Sequence, residues 1–326
     1  MERQSYRLLG TLMGLLLMVG CASSEPDQEA EQVSSEASSS DAGTAGSSEE
    51  APWVVFSSGR SGNGDLYAVR PDSADGEPEI RKVAGTEAPE GTVRYDAYQG
   101  RLVYQRHHDA DGDQPAFAML VSDGQDLFVD PNGDAAPVWS PTTGQIAYVA
   151  RQDDNEDLFI AEADGSSPRA LTQDAEVDRY PAWSPDGATL VFARRLETGW
   201  DLHTLAVSEA SEGPKRLTED GQYVGHPAWS PDGQKIAYDT LIDGQGEIMV
   251  IDLETGVQSR ITDRPGNDLV PAWSLDSSSL AYGAETDGNW DVWFVDLETL
   301  ETQRLTTDEA YDGGVVIVPA SVLPDL

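Results

Sequence analysis

The heptapeptide Pro-Ala-Trp-Ser-Pro-Asp-Gly occurs at Pro181–Gly187 and again at Pro227–Gly233. Softer copies lie at Pro137–Pro141 and at Pro271–Leu275. The tryptophans of these four segments are spaced 44, 46 and 44 residues apart: Trp139, Trp183, Trp229 and Trp273. A repeat of this period is typical of chains that copy one supersecondary unit around a ring or along an array.

Each repeat reads as four short strands. In Ser-Pro-Asp-Gly, proline presets φ for a turn, aspartate bonds back to its own backbone, and glycine accepts the positive φ that follows. This tetrapeptide therefore predicts a tight reversal between the first two strands. The second strand is apolar, as in Leu190–Ala193, the third begins with an acid, as in Asp201–His203, and the fourth ends like Arg216–Thr218. No segment between the strands is long or periodic enough to predict a helix.

The two ends of the chain complement each other. From the end of each fourth strand to the next tryptophan position the distance is always 11 residues, which assigns Tyr95 to such a position and, counting on from Thr306, also Ile317. The repeat that starts at Trp53 lacks a first strand, whereas Ile317 lies in a lone C-terminal strand. The sequence therefore predicts an all-β, six-bladed β-propeller of four-stranded antiparallel blades, its ring closed by the C-terminal strand joining the first blade. An array that stays open is the alternative.

Residues 1–20 have the layout of a bacterial lipoprotein signal peptide. A basic start precedes the apolar run Leu8–Val19, which is too short for a comfortable transmembrane helix. Leu17–Cys21 resembles the signal in which the cysteine is lipidated and becomes the mature N-terminus, and Cys21 is the only cysteine in the sequence. These features predict lipid attachment at Cys21. An ordinary cleaved signal followed by a chance cysteine is the alternative.

Residues 21–50 are predicted to be a disordered tether. After Cys21 the segment holds eight acidic residues, no basic residue and no aromatic side chain. Such a segment cannot bury enough apolar surface to offset the entropy of ordering. The folded part is assigned to residues 51–326, enough for one large all-β domain or two small ones.

The charge of the chain excludes several classes of partner. The sequence has 59 acidic and 20 basic residues; the first 50 residues hold nine and two of these, which leaves −32 on residues 51–326. This surface has no cationic footprint for nucleic acid, and it would not adsorb to an anionic membrane. Strong self-repulsion suits a halophilic protein, because the Debye length shrinks in high salt. An acidic surface that has no connection with high salt is the alternative.

The repeat resembles that of TolB-type propellers. The resemblance rests on Pro-Ala-Trp-Ser-Pro-Asp-Gly, on acid-Leu-Tyr third strands such as Asp65–Tyr67, and on the Arg-Leu-Thr ending, and it covers residues 53–318. It implies the propeller half of TolB without the N-terminal α/β domain, because only tether occupies that place. The resemblance therefore extends to the propeller and not to the envelope-spanning complex of the full protein.

Enzymatic activity finds little support in the sequence. Propellers of this kind also cap serine hydrolases, but no Gly-x-Ser-x-Gly elbow is present. Of the four histidines, His203 is assigned to packing at the aromatic position of a third strand, and His107 and His108 are assigned to an acidic turn. His226 begins an innermost strand, where related lyases bind a divalent metal through several histidines. A carbohydrate-binding or metal-dependent lyase-type propeller acting at the channel mouth is therefore the alternative function.

Calcium is the one cofactor that the sequence suggests. Asp109, Asp111 and Asp113 alternate as the first three ligands of a calcium loop do. The glycine is misplaced for an EF-hand and no glutamate follows at the required distance, so an acidic, solvated turn is the favoured interpretation.

We interpret the chain as a monomeric, non-catalytic lipoprotein of the cell envelope whose propeller binds a protein or peptide. Ala22 after the cysteine favours the outer membrane, facing the periplasm or the exterior. In an up-and-down blade, the innermost strands begin on the face where the repeats vary most, and aromatic rings with one arginine amid carboxylates suit a peptide or a basic segment. Simple solvation of the rim is the alternative. The residues predicted to surround this mouth are Asp178, Arg179, Tyr180, Tyr223, His226, Asp268, Tyr311 and Asp312.

Overall fold

The computed structural model describes residues 51–62, 64–71, 78–84, 90–108, 116–121, 126–130, 137–152, 155–219, 221 and 223–324. The signal segment 1–20, the tether 21–50 with Cys21, and the calcium candidates Asp109, Asp111 and Asp113 lie outside the described residues. The described residues form β-strands and two short 3-10 helices, Val207–Glu212 and Ala320–Val322. In this part of the chain no helix has the length and apolar character needed to cross a membrane.

The strands pair into four-stranded antiparallel sheets. One sheet holds β1 (Trp53–Ser58), β2 (Asp65–Val69), β3 (Ile80–Ala84) and the C-terminal strand β24 (Asp312–Val318). The next two hold β4 (Glu90–Asp96), β5 (Arg101–His108), β6 (Ala116–Val121) and β7 (Asp126–Asp130), and β8 (Val138–Trp139), β9 (Ile146–Gln152), β10 (Asn155–Ala161) and β11 (Arg169–Ala170).

In each of the remaining three sheets, the strands follow chain order from the innermost strand to the outermost. They hold β12 (Val177–Trp183), β13 (Thr189–Leu196), β14 (Gly199–Ala206) and β15 (Lys215–Arg216); then β16 (Val224–Trp229), β17 (Lys235–Ile242), β18 (Gln245–Asp252) and β19 (Gln258–Arg260); and last β20 (Asp268–Trp273), β21 (Ser279–Thr286), β22 (Asn289–Asp296) and β23 (Thr302–Arg304). The prediction of an all-β propeller of four-stranded antiparallel blades is confirmed.

The C-terminal strand completes the blade that begins at the front of the folded part. β24 pairs antiparallel with β1, with Ile317 opposite Val54 and Val316 opposite Val55, as the spacing of the repeats predicts. Going round the ring, the innermost strands β4, β8, β12, β16, β20 and β24 each contact the next, and β24 contacts β4. The inner strands thus surround a central channel, and β24 covers the edge of β1 that would otherwise be open.

The repeated tryptophan position ties neighbouring blades together, as predicted. The indole Nε1 of Trp183 donates a hydrogen bond of 3.0 Å to the carbonyl of Val138 in the inner strand of the preceding blade. Trp273 makes the equivalent bond of 2.9 Å to Ala228. Tyr95 takes the same register position in its own inner strand. The rings of Trp183 and Trp273 therefore fill the space between blades while the polar end of each is satisfied on the neighbour.

The Ser-Pro-Asp-Gly turns close one end of the ring, which we call the turn face. Ser184 Oγ donates to Asp186 Oδ1 at 2.6 Å, the amide of Ala188 donates to the same oxygen at 3.0 Å, and Gly187 has a φ of 69°. Adjacent turns touch, because Thr142 Oγ1 bonds the carbonyl of Asp186, and a β-carbon on Gly187 would collide with that hydroxyl. The uniform sequence of this face thus reflects packing of turn against turn.

The acid of the third strand and the Arg-Leu-Thr ending also form a structural unit. Asp201 is fully buried, Arg216 Nη2 donates to it at 2.7 Å, and Thr218 Oγ1 accepts a hydrogen bond from the backbone at the start of the same strand. The unit recurs as Glu247 with Arg260 at 2.8 Å and as Asp291 with Arg304 at 2.6 Å. These acids are held internally and are not part of a binding surface.

Candidate functional site

The inner strands share an irregularity near their starts. Tyr180, His226 and Val270 each stand three residues before a tryptophan, and their φ angles are 56°, 43° and 58°. The pairing of each inner strand with its second strand shifts register at this point, as between Arg179 and Ala182. Left-handed backbone is unfavourable for residues with a β-carbon, and most of all for a β-branched valine. The resulting β-bulge re-aims the side chains at the mouth of the channel.

Four of the predicted residues come together between the β12 and β16 blades, and we call them the mouth cluster: Arg179, Tyr180, Tyr223 and His226. The ring of Tyr180 lies against that of His226, with the centroids 4.2 Å apart. Tyr223 folds back over its own strand, where a β-carbon on Gly225 would collide with its hydroxyl. Glycine at this position therefore makes room for the tyrosine.

Arg179 is the cation of the mouth cluster, and 36% of its side chain is exposed. It forms a bidentate ion pair with Glu156 of the preceding blade, including a hydrogen bond of 2.7 Å from Nη2 to Oε1, and its guanidinium lies 5.6 Å from the centre of the Trp200 ring. These contacts fix the guanidinium while leaving part of it open to solvent. A fixed arginine loses little side-chain entropy when it binds.

Asp239 holds His226, and the sequence reasoning missed it. Its carboxylate is fully buried, and Oδ2 accepts from Nδ1 of His226 at 2.8 Å and from the amide of Val270, in the next blade, at 2.9 Å. A carboxylate on Nδ1 orients the imidazole and leaves Nε2 as its free nitrogen. The signal was available, because the other second strands carry no acid at this repeat position: Ser57, Gln105, Val149, Ala193 and Gly283.

The two tyrosines of the mouth cluster act as hydrogen-bond donors. Burial raises the pKa of Tyr180, and it raises the pKa of Tyr223 well above the usual range for tyrosine. Both hydroxyls therefore stay protonated at neutral pH. The cluster offers aromatic faces, two hydroxyls, an imidazole and one guanidinium, which suits recognition of a peptide better than covalent catalysis.

Three predicted carboxylates are buried beneath the mouth and do not face solvent: Asp178, Asp268 and Asp312. An arginine holds each of them. The pairs are Asp178 with Arg194 at 2.7 Å, Asp268 with Arg264 at 2.6 Å, and Asp312 with Arg60 at 2.6 Å. These acids anchor the starts of the inner strands and cannot contact a partner directly, which corrects their assignment to the rim.

Tyr311 occupies the same repeat position as Tyr223. A β-carbon on Gly313 would collide with its hydroxyl, and its ring lies 6.5 Å from that of Trp290. Burial raises the pKa of Tyr311 to about 12. It lies on the β24 blade, away from the mouth cluster, so the structure does not bring it together with the other predicted aromatics.

The histidines outside the mouth cluster have structural places. His203 is buried against Phe192, with ring centroids 6.1 Å apart, and burial lowers its pKa, in agreement with the predicted packing role. The prediction that His107 and His108 lie in a turn is wrong, because they are the last two residues of β5. Within the residues that the structure describes, no three His, Cys, Asp or Glu side chains are grouped as a metal site requires.

Asp268 gives stability a pH dependence. Burial raises its pKa to about 6, against about 3.9 in an unfolded chain. The folded state therefore binds this proton more tightly, so the stabilisation is complete below about pH 4 and is lost as the pH rises through about 6. Between pH 4 and 6.5, we expect the unfolding free energy of Asp268→Asn to fall by about 2–3 kcal/mol less than that of the wild type, as measured by urea titration. Asp263→Asn, at a side chain 84% exposed, is the control, and an unchanged slope in Asp268→Asn would contradict the assignment.

Comparison with known proteins supports the resemblance of the repeat. A family model described as the TolB beta propeller domain, PD40, matches residues 202–321. The Tol-Pal system protein TolB of Bordetella pertussis is 37% identical over 67 residues, which are 20% of this chain and 15% of that protein. The chain thus matches less than a fifth of the length of this curated relative. These matches support a TolB-like PD40 propeller.

Solved structures share the fold at low sequence identity. TolB from Acinetobacter baumannii superposes with a TM-score of 0.67 at 15% identity, over 82% of this chain and 66% of that one. An oligogalacturonate lyase in complex with manganese gives a TM-score of 0.52 at 15% identity, over 72% of each chain. At such identities the likeness shows the fold alone, and this fold hosts different functions.

Proposed function

We propose that this chain is a non-catalytic, lipid-anchored protein of the cell envelope whose propeller binds a protein or peptide at the mouth cluster. The observation that carries the proposal is the cluster itself, in which an arginine and two tyrosines are held by internal partners at the end of the channel. Tyrosine and arginine dominate the energetics of binding surfaces, and groups fixed before binding lose little entropy.

The chemistry of the cluster favours a partner segment with basic side chains. The charge of −32 on the folded part attracts cations from a distance. At the mouth, the adjoining rings of Tyr180 and His226 offer aromatic faces to such a segment.

The anchor, the tether and the ring belong to the same proposal. Cys21 carries the lipid, residues 21–50 space the propeller from the outer membrane, and residues 51–326 form a monomeric ring of six blades. The motif Leu17–Cys21 supports the anchor, and the pairing of β24 with β1 supports the ring. The acidic surface supports a halophilic setting. Calcium binding at Asp109, Asp111 and Asp113 stays a prediction.

The alternative of a metal-dependent lyase has less support. His226 is the one histidine that the described residues place at the mouth, and its Nδ1 is already engaged by Asp239. A single imidazole nitrogen with two protonated tyrosines does not provide the several ligands that a catalytic metal needs.

Capture from envelope extracts tests the proposed function. We expect Cys21→Ser to move the full chain from the membrane to the soluble fraction, where it can serve as bait in high salt. Replacing Arg179, Tyr180 and Tyr223 together by alanine should reduce the captured partner at least ten-fold, with Tyr180→Phe/Tyr223→Phe as the variant that keeps the ring volume. Tyr98→Ala, on the turn face and 53% exposed, is the matched control. Equal capture by the folded triple variant would contradict the proposal.

A further inference from the structure

Arg94 is a cationic residue on β4, an inner strand that borders the central channel. It stands one residue before the tryptophan position of its inner strand, and the equivalent residues are Val138, Ala182, Ala228, Ala272 and Val316. All six are partly accessible to solvent, whereas the residue before each of them is buried. This pattern is that of side chains lining the channel.

The alanines among these residues leave space on the far side of the channel. The order of the inner strands around the ring puts β16, which carries Ala228, opposite β4. Ala182 and Ala272 come from the strands on either side of β16, whereas the two valines come from the strands next to β4. At the level of Arg94, the three inner strands farthest from β4 thus carry only methyl side chains.

Arg94 has no acid to neutralise it among the described residues. Nine other described arginines form ion pairs with carboxylates: Arg60, Arg81, Arg101, Arg179, Arg194, Arg216, Arg260, Arg264 and Arg304. The hydrogen bond that Arg94 makes in this part of the chain runs from Nη1 to the carbonyl of Val93 at 3.0 Å. Burial lowers its pKa to about 10, so the charge is partly withdrawn from water.

We propose that Arg94 binds a carboxylate group inside the channel. A guanidinium presents a planar pair of donors that matches the two oxygens of a carboxylate, and the interaction strengthens where water is excluded. The alanine methyl groups opposite suit the carbon atoms of an organic acid. One positive charge balances a monovalent anion, whereas a divalent phosphate would leave excess negative charge in an acidic protein.

This inference stands on Arg94 and does not depend on the mouth cluster. The carboxylate can belong to a small free acid or to the C-terminus of a peptide that enters the channel. Both sources present the same two oxygens to the guanidinium, and they differ in whether a chain must follow the carboxylate through the mouth.

Thermal unfolding and calorimetric titration with defined probes test the inference. The probes are sodium acetate, triglycine and triglycine amide, with ionic strength held constant by NaCl because the protein is highly charged. We expect acetate and triglycine to raise the melting temperature of the wild type, and the amide to leave it unchanged. Arg94→Met should bind both acids at least ten-fold more weakly, and Arg195→Met, at an exposed arginine on β13, should behave as the wild type.

The stability of the free variant adds an independent readout. Removing an uncompensated buried charge should leave the melting temperature of Arg94→Met equal to or above that of the wild type in acetate-free buffer. A response to acetate alone identifies a small free acid, and a response to triglycine as well identifies a terminal carboxylate. An equal response of wild type and Arg94→Met, or a melting temperature lowered by several degrees in the free variant, would overturn the proposal.

Discussion

A chain that lacks residues 313–326 should melt at least 10 °C below the full propeller. These residues form most of β24, in which Val315, Ile317 and Val318 are at most 4% exposed. Burying each such side chain contributes about 1.5–3 kcal/mol, and a whole domain is stable by only about 5–15 kcal/mol. The deletion also exposes the backbone of β1, so we expect aggregation as well as a lower midpoint.

Two further experiments test whether the lost stability comes from ring closure. Removing only residues 324–326, beyond β24, should leave the melting temperature within about 1 °C. A synthetic peptide of residues 311–323 should restore part of the loss by pairing with β1. The loss should be larger in dilute buffer than in molar NaCl, because screening relieves the repulsion of −32 charges. An unchanged midpoint in the long deletion would contradict closure by β24.

Arg194→Met should destabilise the propeller by about 3–5 kcal/mol, because it leaves buried carboxylates without their cation. Arg194 donates to Asp178 from Nε and Nη2 at 2.7 Å each, and to Asp174 from Nη1 at 2.8 Å. Asp157 is buried beside this group, and both burial and the charge of Asp178 raise its pKa. The preceding blade, which carries Asp157 on β10, has Ala170 in place of the usual fourth-strand arginine, so Arg194 is the cation near all three acids.

The neighbouring position and the double variant provide the controls for Arg194. Arg195→Met, on the exposed side of the same strand, should change the unfolding free energy by no more than about 0.5 kcal/mol. Asp178→Asn should recover much of the loss when it is combined with Arg194→Met, because it removes one of the uncompensated charges. Chemical denaturation at neutral pH measures all five proteins: the wild type, Arg194→Met, Arg195→Met, Asp178→Asn and the double variant. Strictly additive losses in the double variant would show that the two side chains do not form a coupled pair.

The sequence predicted the strand pattern and the pairing at the ends because the blades of a propeller repeat one sequence pattern at a nearly constant interval. The tryptophan positions fixed where each inner strand ends, and the constant distance of 11 residues placed Tyr95 and Ile317 in register with them. The misplaced boundary at His107 and His108 has a simple cause, since polar residues at a strand end look like a turn when no apolar alternation marks them.

The mouth was predicted only in part, for two physical reasons. A β-bulge with left-handed residues at Tyr180, His226 and Val270 disrupts the alternation from which the facing of a strand is inferred. The burial of the acids depends on arginines outside the repeat pattern, such as Arg60 and Arg264, which a comparison of repeats does not reveal. Tyrosine and histidine at the strand starts were therefore found, whereas Asp239 and the paired carboxylates needed the structure.

Site-specific photo-cross-linking is the most direct test of binding at the mouth cluster. Thr198 is exposed in the turn between β13 and β14, and its carbonyl lies near Gly221, two residues before Tyr223. Leu275 is 42% exposed on the turn face. A photoreactive residue at either position leaves the cluster and the core unchanged. The account predicts that the captured partner cross-links to position 198 and not to position 275. Cross-linking at position 275 and not at position 198 would show that the partner binds the opposite face of the ring.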